Sequence, residues 1–262
     1  MDVDEVRLRG TGLSAMPADV WDHAGLRCLD VGENALTEIS GRLVGLTALE
    51  ELYVDNNRLE ALPPVGSMPG LRVLDLSGNQ LAELPEGLGV LRRLRFLYAA
   101  DLRLARIPEE IGALADLAYL NVNGNELTAL PDAIGALSRL RELRAMRNAL
   151  TGLPVEIEGL TGLRELHVEG NRLASVPGTL GELAELRVLN LRRNRLTAVP
   201  EGVRRLRSLR HLDLRANGLR MLPGWLGELP ALDKLDVRWN PLDARSGALV
   251  AGLEERGCVV YA

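Results

Sequence analysis

The chain has 262 residues, 47% of them hydrophobic, which is enough apolar material to bury a large core. Its formal net charge of −5 argues against a general nucleic-acid-binding protein, which would carry a basic surface. No apolar run approaches the roughly 20 residues that span a membrane, and no signal peptide is recognisable. The two cysteines, Cys28 and Cys258, lie near opposite ends of the repeats described below, and the ends of a stiff stack of repeats are too far apart in space for a disulfide. We therefore expect no disulfide and a reducing, cytoplasmic location.

A 23-residue unit, LxxLxLxxNxLxxLPxxIGxLxx, recurs along most of the chain. Its opening leucine stands at Leu26, Leu49, Leu71, Leu94, Leu117, Leu140, Leu163, Leu186, Leu209 and Leu232. Because such a unit buries its apolar edge only against its neighbours, this period predicts a solenoid over residues 26–242. Val3 opens a weaker copy, so we predict that residues 1–25 form a degenerate first repeat that caps the solenoid.

One unit, residues 71–93, shows the expected turn. Leu74 lies between Val73 and Asp75, and this period-two pattern predicts a short strand. Pro85 ends the extended segment, and a short helical turn follows. Parallel strands on one side and bulkier helical turns on the other predict an α/β solenoid, a curved horseshoe with a concave parallel sheet.

An asparagine follows the strand in nine turns. It stands at Asn34, Asn57, Asn79, Asn125, Asn148, Asn171, Asn194, Asn217 and Asn240. An amide side chain both donates and accepts, so it can satisfy buried backbone groups where the chain turns. Stacked in register, the asparagines are expected to form a hydrogen-bonded ladder.

These motifs resemble the 23-residue class of leucine-rich repeats found in Ras-suppressor-type proteins, in plant intracellular Ras-group-related proteins and in bacterial repeat proteins. The resemblance covers residues 3 to about 242. It implies protein–protein recognition through the concave face, without catalysis by the repeats. Composition rich in alanine, glycine and arginine, with Lys234 as the lone lysine, favours a bacterial source.

Three turns depart from the pattern. In the fifth turn Ala99 replaces an inward leucine and Leu102 replaces the ladder asparagine, while Ala145 repeats the first change later. Either Leu102 fills volume that Ala99 vacates, or the surface around Tyr98 and Asp101 is locally adjusted. The segment at residues 63–70 is one residue short and is expected to kink the stack slightly.

Residues 243–262 leave the repeat. We predict a capping helix from about Asp243, ended by Gly257, and then a short strand. This piece would cover the apolar end of the last turn. We expect one domain overall, a chain complete at Ala262 and no catalytic domain beyond it.

Aromatic residues are scarce, yet several are predicted on the outward positions of neighbouring strands. Tyr53, Phe96, Tyr98 and Tyr119 cluster there with Met146 nearby, and such residues are typical of interface anchors. The alternative is that they only cover the pleat of the sheet.

Charges on the same face are segregated along the chain. The candidate partner-binding residues include the acidic Asp55, Asp75 and Asp101 of the first half, and the basic or titratable Arg144, His167, Arg192, Arg193 and Arg215 of the second. A partner of complementary charge would be oriented by this pattern. A solvated surface with a chance distribution of signs is the equal alternative.

No motif of a catalytic or cofactor site is present, so we expect no enzyme activity, no cofactor and no metal. His211 with Asp213 and Asp236 is the nearest approach to such a site. Cys28 is expected to be an exposed thiol without a base.

Three functions remain open. The first is a monomeric, non-enzymatic module, of a kind used in scaffolding or signal transduction, that binds a protein partner and neither nucleic acid nor membrane. The second is a regulatory or substrate-recruiting subunit of a separately encoded enzyme, in a GTPase or kinase pathway. The third is a small-molecule or saccharide binder, which an open sheet disfavours because ligand pockets are usually enclosed.

Overall fold

The computed structural model describes residues 4–262, so Val3, where the degenerate first repeat is predicted to open, lies outside the described residues. The chain forms two compact units, Met1–Leu127 and Thr128–Ala262.

In the first unit, parallel strands pair with one another in chain order. They are β1 (Glu5–Arg7), β2 (Cys28–Asp30), β3 (Glu51–Tyr53), β4 (Val73–Asp75), β5 (Phe96–Tyr98) and β6 (Tyr119–Asn121). The 3₁₀ helices of this unit lie at Ala18–Asp22, Gly41–Gly45, Leu88–Val90 and Glu109–Ala113. Between β3 and β4 the short segment at residues 63–70 has only turns, and Val65 and Met68 bury their side chains there.

The second unit repeats this arrangement. Its parallel strands are β7 (Glu142–Arg144), β8 (Glu165–His167), β9 (Val188–Asn190), β10 (His211–Asp213), β11 (Lys234–Asp236) and β12 (Val259–Tyr261). Its 3₁₀ helices lie at Asp132–Ala136, Val155–Gly159, Gly178–Glu182, Glu201–Arg205 and Gly224–Glu228, and the α-helix α1 spans Ser246–Glu255.

Each strand has only three residues, and its central side chain points into the core. Leu74, Leu97 and Leu212, for example, are almost fully buried, whereas most of the flanking residues are half-buried or exposed. In each unit the first and third residues of the strands therefore form a second surface, which we call the sheet face of that unit. The predicted architecture, parallel strands on one side and 3₁₀ helices on the other, is confirmed in each unit: the fold is that of a leucine-rich repeat solenoid.

The predicted asparagine ladder is present. Asn171 accepts a hydrogen bond from the Leu150 N–H at 3.0 Å and donates to the carbonyls of Ala145 and Val168, both at 2.9 Å. Asn57, Asn125 and Asn194 make the same set of bonds, so these ladder asparagines satisfy backbone groups of their own turn and of the preceding one. In the fifth turn the buried Leu102 stands at the ladder position and offers no acceptor to the Leu81 N–H. In other turns the equivalent N–H donates to the ladder asparagine, as those of Leu59 and Leu104 do.

The residue before the ladder position adopts a left-handed conformation in every turn from the second to the eleventh. The residues are Glu33, Asn56, Gly78, Asp101, Gly124, Arg147, Gly170, Arg193, Ala216 and Trp239, with φ between 51° and 69°. Only glycine takes this conformation without a steric cost from Cβ, so the seven other turns hold a strained residue here.

The helix of the terminal segment begins later than predicted, since α1 starts at Ser246 rather than near Asp243. Leu253 and Cys258 are buried, Gly257 has a φ of 85°, and β12 pairs with β11. The division of the chain at residues 1–25, 26–242 and 243–262 stays a prediction. Among the described residues, no helix combines the length and apolar character needed to cross a membrane.

Candidate functional site

The aromatic residues of the first unit lie together on the sheet face. We define the aromatic patch as Tyr53, Val73, Phe96, Tyr98 and Tyr119, all of them half-buried. The strand register places Val73 beside Phe96 and Phe96 beside Tyr119. The rings of Tyr98 and Tyr119 are 5.0 Å apart between centroids and tilted by 40°, a favourable aromatic geometry.

A hollow opens in this patch. This hollow has a volume of about 430 Å³ and is lined by Arg9, Tyr53, Asp55, Val73, Asp75, Phe96 and Tyr98. A separate hollow on the second unit has a volume of about 460 Å³. The register sets Asp75 between Tyr53 on β3 and Tyr98 on β5. The sequence-predicted residues Tyr53, Asp75, Phe96 and Tyr98 are therefore brought together, and Asp101 is exposed at the left-handed position after β5.

Arg9 neutralises several carboxylates next to the hollow. Its guanidinium binds Asp55 at 2.6 and 2.9 Å, Asp30 at 3.1 Å and Glu33 at 3.0 Å. Asp55 is only 5% exposed and Asp30 only 7%. Asp55, expected to offer its charge to a partner, is instead buried in an internal ion pair, because Arg9 from the degenerate first turn reaches across two strands.

Asp75 has no such partner. It accepts a hydrogen bond from the Ser77 N–H at 3.0 Å, and among residues 4–262 no arginine or lysine forms an ion pair with it. Burial, opposed in part by the Ser77 hydrogen bond, raises the pKa of its carboxyl above the ordinary 3.8. The floor of the hollow is thus a poorly solvated carboxylate between two tyrosine rings.

Two neighbouring groups are held in their neutral forms. Burial and the nearby Glu51 carboxylate, which accepts a hydrogen bond from the Tyr53 hydroxyl at 3.2 Å, raise the pKa of Tyr53 to about 12. The prediction of an exposed Cys28 thiol is wrong: Cys28 is 4% exposed, and burial raises its pKa from 9.0 to about 11. This thiol is therefore unreactive at neutral pH.

On the sheet face of the second unit, most of the predicted basic residues are paired locally. Arg144 binds Glu142, Arg192 lies 3.4 Å from Glu169, and Arg215 binds Asp213 and, at 3.3 Å, Asp236. His167 is 3.1 Å from Glu165, and Met146 is half-buried. Arg193 is exposed at the left-handed position and makes no ion pair with any described residue. Together with the Arg9 cluster, these pairs cancel much of the predicted charge segregation at short range.

An exposed tryptophan on the second unit was not singled out in the sequence. Trp239 is 64% exposed, with the guanidinium carbons of Arg192 and Arg238 at 5.7 and 5.6 Å from its ring centroid. The available signal was its position immediately before Asn240, where a large apolar residue is unusual. Arg238 lines a second hollow, together with His211, Lys234, Asp236, Tyr261 and other residues.

Metal-binding residue types also occur on this face. Ligand atoms of Glu142, Glu165 and His167 lie within 4.8 Å of one another. However, Glu142 forms an ion pair with Arg144, and Glu165 is hydrogen-bonded to His167. These contacts partly neutralise the carboxylates that would bind a cation. Asp213 and Asp236, the nearest approach to an acid–base site, are likewise bound by arginines.

Comparisons with known proteins agree with this fold. A model described as a leucine-rich repeat region matches residues 56–176, and a leucine rich repeat model matches residues 161–219 and 184–242. With the repeats and the structure, these matches make the chain a leucine-rich repeat protein. No curated protein sequence gave a significant match.

Several solved structures are similar to the chain. A leucine-rich repeat protein of Leptospira interrogans is 26% identical with a TM-score of 0.63, over 96% of this chain and 76% of that one. A TDR receptor is 28% identical with a TM-score of 0.83, over 92% and 44%. The ectodomain of the Arabidopsis thaliana receptor kinase GASSHO1/SCHENGEN3, in complex with Casparian strip integrity factor 2, is 28% identical with a TM-score of 0.65, over 87% and 31%. The chain thus spans less than half the length of either receptor chain.

Proposed function

We propose that this protein is a non-enzymatic recognition module that binds a protein partner on its sheet face, with the aromatic patch as the main contact. The observation that carries the proposal is that Tyr53, Phe96 and Tyr98 line one hollow, while the Tyr119 ring packs 5.0 Å from the Tyr98 ring. Half-buried aromatic rings lose little conformational freedom on binding and supply most of the energy of typical interfaces. The receptor kinase ectodomain solved in complex with Casparian strip integrity factor 2 supports the use of this fold for recognition.

The finer aspects of the proposal come from composition and family resemblance. We place the protein in the 23-residue Ras-suppressor-type class, in a bacterial cytoplasm, as a monomer that binds neither nucleic acid nor membrane. A net charge of −5 supports the exclusion of nucleic acid. A role as the recruiting subunit of a separate enzyme is one form of this function.

A small polar ligand is the second candidate function. The hollow beside Tyr261 has a volume of about 460 Å³, within the range of ligand pockets, and presents His211, Lys234 and Asn190. Saturable binding of a metabolite with no effect of the aromatic-patch variants on it would favour this function.

The decisive experiment compares partner binding by matched variants. A partner is first captured from the native host and purified, and its affinity is then measured by surface plasmon resonance. Phe96→Ala and Tyr98→Ala should each weaken binding by about 2 kcal/mol, because each removes a ring from the patch. Both side chains lie outside the leucine core, so the midpoint of thermal unfolding should change little.

Two controls locate the contact. Glu86→Ala changes an exposed residue next to the 3₁₀ helix Leu88–Val90, away from the sheet face, and should leave the affinity unchanged. Trp239→Ala removes the exposed ring of the second unit. If Trp239→Ala or Glu86→Ala abolishes binding while both patch variants bind normally, the proposed site is wrong.

A further inference from the structure

In the second unit a carboxylate, an arginine and an aromatic ring lie together. In the aromatic patch of the first unit, the carboxylate and the ring have the same positions in the sheet, but the residue that corresponds to the arginine is a serine. Asp236 on β11 is the register partner of Tyr261 on β12. Arg238, two residues after Asp236, donates to its carboxylate at 2.6 Å and places its guanidinium carbon 4.8 Å from the centroid of the Tyr261 ring. The protein thus holds one of its own arginines between a carboxylate and an aromatic ring.

The same register relation exists in the first unit without the arginine. Asp75 on β4 is the partner of Tyr98 on β5, as Asp236 is of Tyr261. The residue two positions after Asp75 is Ser77, whose side chain is too short to reach over the ring. Tyr53 supplies a second ring on the opposite side of Asp75. Beside Asp75 and Tyr98 the first unit has an open hollow of about 430 Å³, which Arg9 lines from the first turn.

Charges near the hollow favour a cation. Arg9 is already shared among the carboxylates of Asp30, Asp55 and Glu33. Asp75 adds a further negative charge without an ion-pair partner among the described residues, and Glu51 adds another beside Tyr53. Aromatic faces attract cations as well, and they attract a guanidinium best when its plane can stack and its nitrogens can reach a carboxylate.

We propose that the hollow at Asp75 binds the guanidinium group of an arginine side chain from the protein partner, in the way that Asp236 and Tyr261 hold Arg238. This inference rests on the proposed function and adds to it the chemistry of the partner's anchoring residue. The partner arginine donates to the Asp75 carboxylate and stacks against Tyr53 and Tyr98.

The test uses a small probe and does not require the partner. Nα-acetyl-arginine methylamide is titrated into the full-length isotope-labelled protein, and backbone amide shifts are followed by NMR. We expect saturable shifts near Asp75 and Tyr98. The citrulline analogue, which has nearly the same shape and no charge, should bind at least about tenfold more weakly.

Variants at Ser77 supply the sharpest comparison. Ser77→Arg places an arginine at the position of Arg238 relative to Asp236, so it should fill the site internally and abolish saturable shifts. Ser77→Gln adds a long neutral side chain at the same position, and this variant should bind the arginine probe far more tightly than Ser77→Arg does. Asp75→Asn, which retains the size of the side chain, should weaken probe binding about tenfold or more. Far-UV circular dichroism confirms that each variant is folded.

The inference and the proposed function fail in different ways. Equal shifts with the arginine and citrulline probes, or normal probe binding by Ser77→Arg, would overturn the arginine site. If Phe96→Ala weakens the affinity for a purified partner but Asp75→Asn does not, the aromatic patch remains the proposed interface and the arginine inference is wrong. If the probe binds as expected but neither patch variant affects the partner, the proposed function is wrong instead.

Discussion

Asp75 differs from the other aspartates of the sheet face in its surroundings. Asp30, Asp55, Asp213 and Asp236 all bind arginines, whereas Asp75 has only donors from Ser77. Removing a carboxylate from water without a counter-ion costs stability, even at a half-buried position such as that of Asp75. We infer that stability is sacrificed at this position for binding.

This cost predicts an unusual dependence of stability on pH. The pKa of Asp75 is raised by burial, so the stability linked to its neutral form is fully present below about pH 3.8 and is lost as pH rises through the raised pKa. Asp75→Asn removes the ionisation. We expect the variant to be more stable than the wild type at pH 7, with the difference shrinking as pH falls toward 4.

Urea unfolding of both proteins at several pH values measures this difference directly. Asp116→Asn, on the half-buried segment before β6, serves as a comparison away from the hollow. A wild type that is more stable than Asp75→Asn throughout would show that the ionised carboxylate stabilises the fold.

At the scale of the repeat element, the left-handed residue before the ladder position offers a matched pair of substitutions. Gly170 has a φ of 69°, and a Cβ placed there would meet Arg147 only at 3.6 Å or beyond, an ordinary contact. Ala216 holds the equivalent position with a φ of 52°. Any effect of exchanging these residues therefore comes from backbone strain rather than from a clash.

We expect Gly170→Ala to lower the free energy of unfolding and Ala216→Gly to raise it, each by up to about 1 kcal/mol. The gain from glycine is reduced because glycine also has more freedom in the unfolded chain. Thermal and urea unfolding measure the change in the free energy of unfolding for both variants. Opposite signs are the essential result, and the same sign in both variants would rule out strain as the cause.

The ladder asparagine is the second feature of the element that a substitution can test. Asn171→Ala leaves the Leu150 N–H and two buried carbonyls without their side-chain partner, so the free energy of unfolding should fall by about 1–3 kcal/mol. Asn190→Ala, at a half-buried position of the sheet face, should cost less. An equal loss in both would mean that the ladder bonds contribute no more than ordinary surface contacts.

Much of each element could be predicted because it depends on neighbours within the repeat. The strand centres, the ladder and the prolines follow from spacing alone, and the aromatic patch follows once outward positions are assigned. The ion-pair partners of Arg9 could not be predicted in the same way. Its contacts with Asp30, Glu33 and Asp55 depend on how far a long side chain extends over neighbouring turns. The burial of Cys28 and the approach of Arg192 and Arg238 to the Trp239 ring depend on such reach as well.

At the scale of the whole molecule, the terminal segment has a covering role that truncation can test. In the second unit β12 pairs with β11, and Leu253 of α1 is fully buried. Removal of residues 243–262 would expose the backbone edge of β11 and the apolar surface beneath the helix, and both promote association.

We therefore expect the truncated protein to aggregate or to form end-to-end oligomers at concentrations where the full chain does not. Size-exclusion chromatography with light scattering distinguishes these outcomes. A truncated protein that elutes as a stable monomer, with an unchanged unfolding midpoint, would contradict the capping role. Leu253→Asp in the full-length chain should have a similar effect, because it places a charge in the buried contact.

The glycines at the left-handed position also show a second period in the chain. Gly78, Gly124 and Gly170 stand 46 residues apart, which is two turns rather than one, and Ala99 and Ala145 share that interval. At these two positions alternate turns match and adjacent turns differ. Duplication in pairs of turns would leave this pattern, with a segment of two turns as the unit that is copied.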